Sequence, residues 1–182
     1  METRPEADVR ALFTRVKLLA LDVDGVMTDG KVVYSAGEDG VREVQSFDVQ
    51  DGIALRWLSK AGIKIVWITG RGCKVTEHRA AELKIDALEM QVVSKREVLA
   101  RLQERFGVKA DETIAMGDDL PDLGMRARAG YFVAPANARA EVRDVSDLIL
   151  SRAGGDGAVR ELAEMLLRAR GAWQGLIDAA AR

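Results

Sequence analysis

The feature that most constrains this chain is a set of uninterrupted apolar runs, two of which end in paired acids. Lys17–Gly25 reads KLLALDVDG and Thr113–Asp119 reads TIAMGDD, while IKIVWIT and YFVA are apolar runs of similar length. A strand without a polar position is buried on both faces, which points to a parallel sheet covered by helices on each side. Helical patterns fall between these runs. The order predicts an α/β fold: a three-layer, Rossmann-like, mostly parallel sheet with helices on both faces.

The exception is KVVYSAGEDGVREVQSF, which reads as two strands around a turn at Gly37–Gly40, a small β-hairpin inserted into the parallel arrangement. After it, Asp51 is placed to cap a helix running to about Lys60, with Ile53, Trp57 and Ala61 on one face and Gly62 as its stop. Residues 74–83 suit a helix, and a short strand is expected near Ile85–Leu88. A further helix begins at or after Lys95 and ends at Gly107. A short helix follows Pro121, another covers 138–144, Leu148–Leu150 forms an edge strand, and a last helix starts near Ala158.

With 182 residues the expectation is one domain over 17–170, a charged leader at 1–16 that can form a short helix, a tail at 171–182, and no large cap domain. A net charge of -2 gives no reason to bind nucleic acid, and acids interleave with Arg152, Arg160, Arg168 and Arg170. One cysteine, Cys73, and one histidine, His78, exclude an intrachain disulfide and a histidine-rich metal centre. Each reads as a packed or surface side chain before a catalytic one. Trp57 and Trp67 suit the core, whereas Trp173 suits either docking of the tail or an interface. No run reaches transmembrane length and METRPEADVR lacks a signal-like apolar stretch, so the expectation is a cytoplasmic protein without membrane contact.

The acids carry the chemistry. In LDVDG, Asp22 and Asp24 close an apolar strand and point roughly the same way, with Gly25 allowing close approach by an anion. GDDLPD repeats the arrangement at another strand exit, with Asp118, Asp119 and Asp122. Parallel strands bring such exits together, and carboxylates gathered there repel unless protonated or bridged by a cation; Mg2+ suits an all-oxygen set. Thr69 and Gly70 leave a third strand, and Lys95 can offset negative charge. Taken singly, a turn or a solvated surface explains Thr69 or Lys95 equally well.

Four motifs in order resemble the haloacid-dehalogenase-like phosphatase superfamily: DVDGVMTDG at Asp22–Gly30, ITG at Ile68–Gly70, Lys95, and GDDLPD at Gly117–Asp122. Within it the chain is similar to the small, capless 3-deoxy-D-manno-octulosonate 8-phosphate phosphatases. That likeness is carried by the hairpin, FDVQDG at Phe47–Gly52, ITGR at Ile68–Arg71 and AGGDGAVRE at Ala153–Glu161. The chain departs from the pattern in MQVVSK at Met90–Lys95, and in LKI at Leu83–Ile85 where LGI is common.

The resemblance implies magnesium-dependent hydrolysis of a phosphorylated 2-keto sugar acid through an aspartyl phosphate. Spacing alone permits either aspartate to attack; the family assigns attack to Asp22 and acid–base work to Asp24. It places the metal on Asp22, the backbone carbonyl of Asp24, and Asp118, with Asp119 binding through water or orienting Lys95 and Asp122 supporting the loop. Thr69 and the N–H groups of Gly25 and Gly70 would hold phosphoryl oxygens. Arg71 is the expected ligand of the substrate carboxylate, a surface salt bridge being the plainer reading. Arg160 either faces solvent or reaches a neighbouring subunit's site, because capless relatives form homotetramers that enclose substrate between chains. A related nonulosonate 9-phosphate is the alternative substrate, and a non-catalytic sugar-phosphate binding or assembly protein the alternative class.

Overall fold

A computed structural model describes residues 6–38 and 40–181. In chain order its elements are α1 (Glu6–Arg15), β1 (Leu18–Leu21), β2 (Val33–Gly37), β3 (Gly40–Val44), α2 (Val49–Lys60) and β4 (Lys64–Ile68). Next come α3 (Lys74–Leu83), β5 (Ala87–Glu89), α4 (Lys95–Phe106), β6 (Thr113–Met116), α5 (Leu123–Arg126) and β7 (Tyr131–Ala134). The last described elements are α6 (Ala140–Arg143), β8 (Leu148–Ile149), α7 (Ala158–Ala169) and α8 (Trp173–Ala180).

The apolar runs become a six-stranded sheet in the order β5-β4-β1-β6-β7-β8, every pair parallel. Alternate residues serve opposite faces. Leu19, Leu21, Ile65 and Trp67 join the core beneath α1, α2 and α7, whereas Leu18, Ala20, Val66 and Ile68 join the one beneath α4 and α6. Two buried faces explain why these two strands are apolar apart from Lys64 at the exposed start of β4. The hairpin is as expected: β2 and β3 pair antiparallel and form a separate two-stranded ribbon.

One end of a helix differs from expectation. The N-cap of α2 is Asp48, whose carboxylate accepts the N–H groups of Gln50 and Asp51 at 2.5 and 3.0 Å. Asp51 lies inside the first turn, fully buried, and its Oδ1 accepts the N–H of Arg160 at 2.7 Å, so it caps α7 instead. Leu12, Phe13 and Val16, in and just after α1, are part of the main core. At the other end Trp173 packs edge-on against Trp57, with ring centroids 5.8 Å apart. Arg170 fastens both ends by donating to the carbonyls of Phe13, Val16 and Ala61.

Strand order sets where a site can form. From β1 the chain builds outward through β4 and β5, then crosses back to β6 on the opposite edge of β1. Leu21 is in register with both Trp67 and Met116, so the loops after β1, β4 and β6 leave the sheet side by side. Such a reversal opens a crevice at the carboxyl ends of the strands.

Candidate active site

Asp22 is the first residue beyond β1, and its N–H still bonds to the Met116 carbonyl, so the sheet fixes its position. The chain then turns sharply: the N–H groups of Val26, Met27 and Thr28 all converge on the Val23 carbonyl. Gly25 has φ +101, and a Cβ there would fall 2.1 Å from Asp118 Oδ2. Glycine is therefore required on two counts, backbone conformation and the carboxylate pressed against it. The loop is buttressed from behind. Asn137 donates Nδ2 to the Gly25 carbonyl at 3.0 Å and accepts the Gly154 N–H at 2.7 Å. A Cβ on Gly154 would lie 1.8 Å from that same Gly25 oxygen, which gives the AGGDG segment its local meaning.

Carboxylate oxygens of Asp22, Asp118 and Asp122 lie within 4.8 Å of one another. Lys95, at the start of α4, is 7% exposed and places Nζ 2.5 Å from Asp22 Oδ1 and 2.6 Å from Asp122 Oδ1. Asp122, not Asp119, thus orients the lysine; its Oδ2 also accepts the N–H groups of Asp118 and Asp119. Asp119 caps the 3-10 turn Leu120–Asp122 through the Leu120 N–H. That turn swings Asp122 inward, where its oxygens are used up by donors.

Burial raises Asp22 well above the ordinary carboxylate range, and Asp122 adds to the rise against the pull of Lys95. Asp118 is pushed up to about 7, by burial first and then by Asp122 and Asp119. Lys95 moves the other way from what burial alone demands: desolvation lowers it, but Asp22 and Asp122 hold it above its ordinary value. Asp118 Oδ1 is buried with no hydrogen-bond partner. An orphaned carboxylate oxygen, a second carboxylate beside it, no histidine or cysteine among the ligand-capable residues and a neighbour lacking a Cβ together fit an oxygen-seeking divalent cation.

Asp24 points to the other side of the pocket. Thr69 Oγ1 donates to its Oδ2 at 3.0 Å while accepting the Arg71 N–H, so Thr69 orients Asp24 in this structure. Gly70 lies exposed beside it, and the Gly25 N–H makes a long 3.4 Å contact to Thr28 Oγ1. Arg71 donates Nη2 to Glu43 Oε1 at 2.8 Å and has Nε 3.4 Å from Asp24 Oδ1. Glu43 and Gln45, which leave the hairpin at this point, have no counterpart among the expected site residues; nor has Asn137.

A pocket of about 480 Å³ opens over Asp22, Asp24, Thr69, Gly70, Arg71, Lys95, Asp118, Asp119 and Asp122. Arg160 is not among its lining. Its guanidinium carbon lies 4.4 Å from the Trp57 ring centre and 5.3 Å from that of Trp173, and Nε donates to Glu164. Within one chain it clamps α8 to the body of the protein.

A parallel α/β sheet presenting an aspartate pair, a buried lysine and a second acidic loop at one crevice defines a haloacid-dehalogenase-like hydrolase, and the haloacid dehalogenase-like hydrolase model matches residues 87–162. An Escherichia coli 3-deoxy-D-manno-octulosonate 8-phosphate phosphatase is 37% identical over 91% of this chain and 86% of its own length. The Haemophilus influenzae phosphatase of the same name is 35% identical over 86% and 85%. A crystal structure of the Moraxella catarrhalis phosphatase, in complex with a magnesium ion, a phosphate ion and a KDO molecule, superposes with TM-score 0.90 at 34% identity, covering 96% of this chain and 99% of that one. The chain belongs to the 3-deoxy-D-manno-octulosonate 8-phosphate phosphatase family, as its motifs implied.

Proposed function

We propose that this chain is a magnesium-dependent phosphomonoesterase that converts 3-deoxy-D-manno-octulosonate 8-phosphate to the free keto sugar acid and phosphate. The observation that carries the reading is the meeting of Asp22 with Asp118 and Lys95 at one crevice, with Asp118 Oδ1 left unpaired. Similarity to phosphatases of that substrate along nearly the whole chain supports the choice of substrate.

In the proposed reaction a carboxylate oxygen of Asp22 attacks phosphorus. As the bond from phosphorus to the sugar oxygen breaks, that oxygen takes the proton carried by Asp24, leaving an acyl phosphate on Asp22. Water then attacks the phosphorus and gives a proton to the Asp24 carboxylate, and Asp22 departs as the free carboxylate. Lys95 offsets the charge gathered beside Asp22 throughout. Gly25, Thr69 and Gly70 are the donors proposed for the phosphoryl oxygens. Asp22, Asp118 and the Asp24 carbonyl would hold magnesium, which when bound neutralises the carboxylates and draws charge from the phosphoryl group. Arg71, half-exposed at the pocket, offers a guanidinium to the substrate carboxylate.

Among the described residues no element closes over the pocket, and the ribbon beside it exposes Val33, Tyr34 and Val41. A homotetramer in which a neighbouring chain closes the pocket accounts for both, and gives Arg160 a second surface to meet. Among the described residues no helix is long and apolar enough to cross a membrane. The cytoplasm is the proposed compartment, where an unpaired cysteine such as Cys73 persists as a thiol.

The deciding experiment compares magnesium-dependent phosphate release from the octulosonate 8-phosphate and from a nonulosonate 9-phosphate. Higher kcat/KM on the octulosonate is expected; preference for the nonulosonate overturns the substrate and keeps the chemistry. Asp22→Asn should lower turnover by at least about 10³-fold with the fold intact, and wild-type turnover by that variant overturns the assigned nucleophile.

A further inference from the structure

The hairpin touches the reaction through a side chain that the phosphoryl-transfer machinery just described does not use. Glu43 is in β3 and Gln45 is the first residue beyond it, and both side chains reach the pocket. Glu43 binds Arg71 at 2.8 Å, and Gln45 Nε2 donates to Asp24 Oδ1 at 3.3 Å. The other end of the Gln45 amide is also held: Thr76, in the first turn of α3 and 2% exposed, donates Oγ1 to Gln45 Oε1 at 2.7 Å. An amide oxygen accepts and an amide nitrogen donates, so the threonine hydroxyl decides which end of Gln45 meets the carboxylate. With Thr69 on Oδ2, Asp24 is gripped at both oxygens by elements from opposite sides of the pocket. Free rotation of that carboxylate is thereby suppressed.

Resting on the phosphatase reading, we infer that Gln45 is a positioning residue for the acid–base carboxylate of Asp24, itself set by Thr76. The step it serves is departure of the sugar. The bond from phosphorus to the sugar oxygen breaks, its electron pair goes to that oxygen, and the Asp24 proton completes the alcohol while Asp22 bonds to phosphorus. A misaimed Asp24 slows this step in proportion to how much the leaving oxygen needs the proton. An alkyl oxygen of a sugar needs it; p-nitrophenolate does not. A defect of overall folding, of metal binding or of nucleophilic attack has no such selectivity.

The experiment measures kcat and KM for the magnesium-loaded full-length chain and its variants on the octulosonate 8-phosphate and on p-nitrophenyl phosphate. For Gln45→Leu the expected loss in kcat/KM on the sugar phosphate, which reports the steps up to departure of the sugar, is roughly 10- to 100-fold, part of the factor of roughly 10²–10⁴ that a positioned acid–base group supplies. On p-nitrophenyl phosphate the loss in kcat/KM should stay below about threefold, because its leaving group needs no proton; kcat on either substrate also carries the later hydrolysis, in which Asp24 takes a proton from water. Thr76→Val, which removes the hydroxyl but keeps the shape, should reproduce the same selectivity at smaller size, and Thr76→Ser should restore it. Should Gln45→Leu not fold, the Thr76 pair decides. Equal losses in kcat/KM on both phosphates, or no loss in it on either, overturns the inference while leaving the phosphatase reading in place. A wild-type chain that hydrolyses neither phosphate removes that reading and this inference together.

Discussion

Asp118 is buried, has an oxygen without a partner and is pushed up to about 7 by burial, Asp122 and Asp119. In the metal-free fold this carboxyl therefore holds its proton more tightly than in the unfolded chain. The sign follows: its contribution to stability is fully present below its ordinary value near 4 and is lost as pH climbs through about 7. Asp22 is shifted in the same direction. A divalent cation needs these groups ionised, so proton and metal compete. Magnesium affinity should rise from about pH 5 to pH 8, by up to about tenfold per unit below 7 for each proton displaced. Calorimetric titration at several pH values checks this, with the metal-free chain losing thermal stability over the same interval. An affinity independent of pH contradicts it. Gly25 bears on the same oxygen pair: Gly25→Ala would drive a Cβ into Asp118 Oδ2 and force a positive φ on alanine. The expected result is a folded protein whose magnesium affinity falls by about tenfold or more, equivalent to at least about 1.4 kcal/mol. Unchanged affinity would mean that the loop relaxes without moving Asp118.

At the scale of elements, what was readable in the sequence was whatever burial writes into consecutive residues. The central strands were legible because both faces are covered, and the acids were legible because they interrupt apolar runs at strand exits. Choices between chemically equivalent neighbours were not. Asp48 and Asp51 are equally good caps on paper; the structure uses the first for α2 and sends the second across to α7. Asp119 and Asp122 differ only by a 3-10 turn, which aims Asp122 at Lys95. Asn137 reaches Gly25 from 112 residues away, and Gln45 reaches Asp24 through an irregular exit from the hairpin, so no local pattern announces either. The LKI departure does acquire a reason. Lys84 ends α3 at φ 58, in the left-handed region where glycine is favoured. A side chain there costs about 1–2 kcal/mol, partly offset by the larger unfolded-state entropy of glycine. Lys84→Gly should accordingly stabilise the chain by about 0.5–1 kcal/mol, read as a higher denaturant midpoint at constant slope. A lower midpoint would show that the lysine side chain stabilises by a contact outweighing its backbone strain.

For the whole molecule the hairpin decides between a monomer with an open pocket and an assembly that closes it. A two-stranded ribbon alone is marginal in water, yet this one carries apolar side chains on both faces. Val33 and Val44 are cross-strand partners on the face opposite Glu43, 51% and 45% exposed, whereas Tyr34 shares the Glu43 face. Charges at the valine pair therefore reach the proposed assembly surface without touching the Glu43–Arg71 contact. Val33→Lys with Val44→Glu puts opposite charges side by side, which keeps the ribbon paired by about 0.2–1 kcal/mol. The same pair removes apolar burial worth about 1 kcal/mol per half-buried side chain from any contact made there. Light scattering should give a tetramer for the natural chain and a smaller species for the double variant. If neighbouring chains enclose the sugar, the variant should also show a raised KM on the octulosonate phosphate and an undiminished rate on p-nitrophenyl phosphate, which needs only the catalytic crevice. A fully active monomer of the natural chain would defeat the shared-pocket proposal. A tetramer that survives the double substitution would move its interface to another surface, the exposed Val49 and Ile53 on α2 being the next to test.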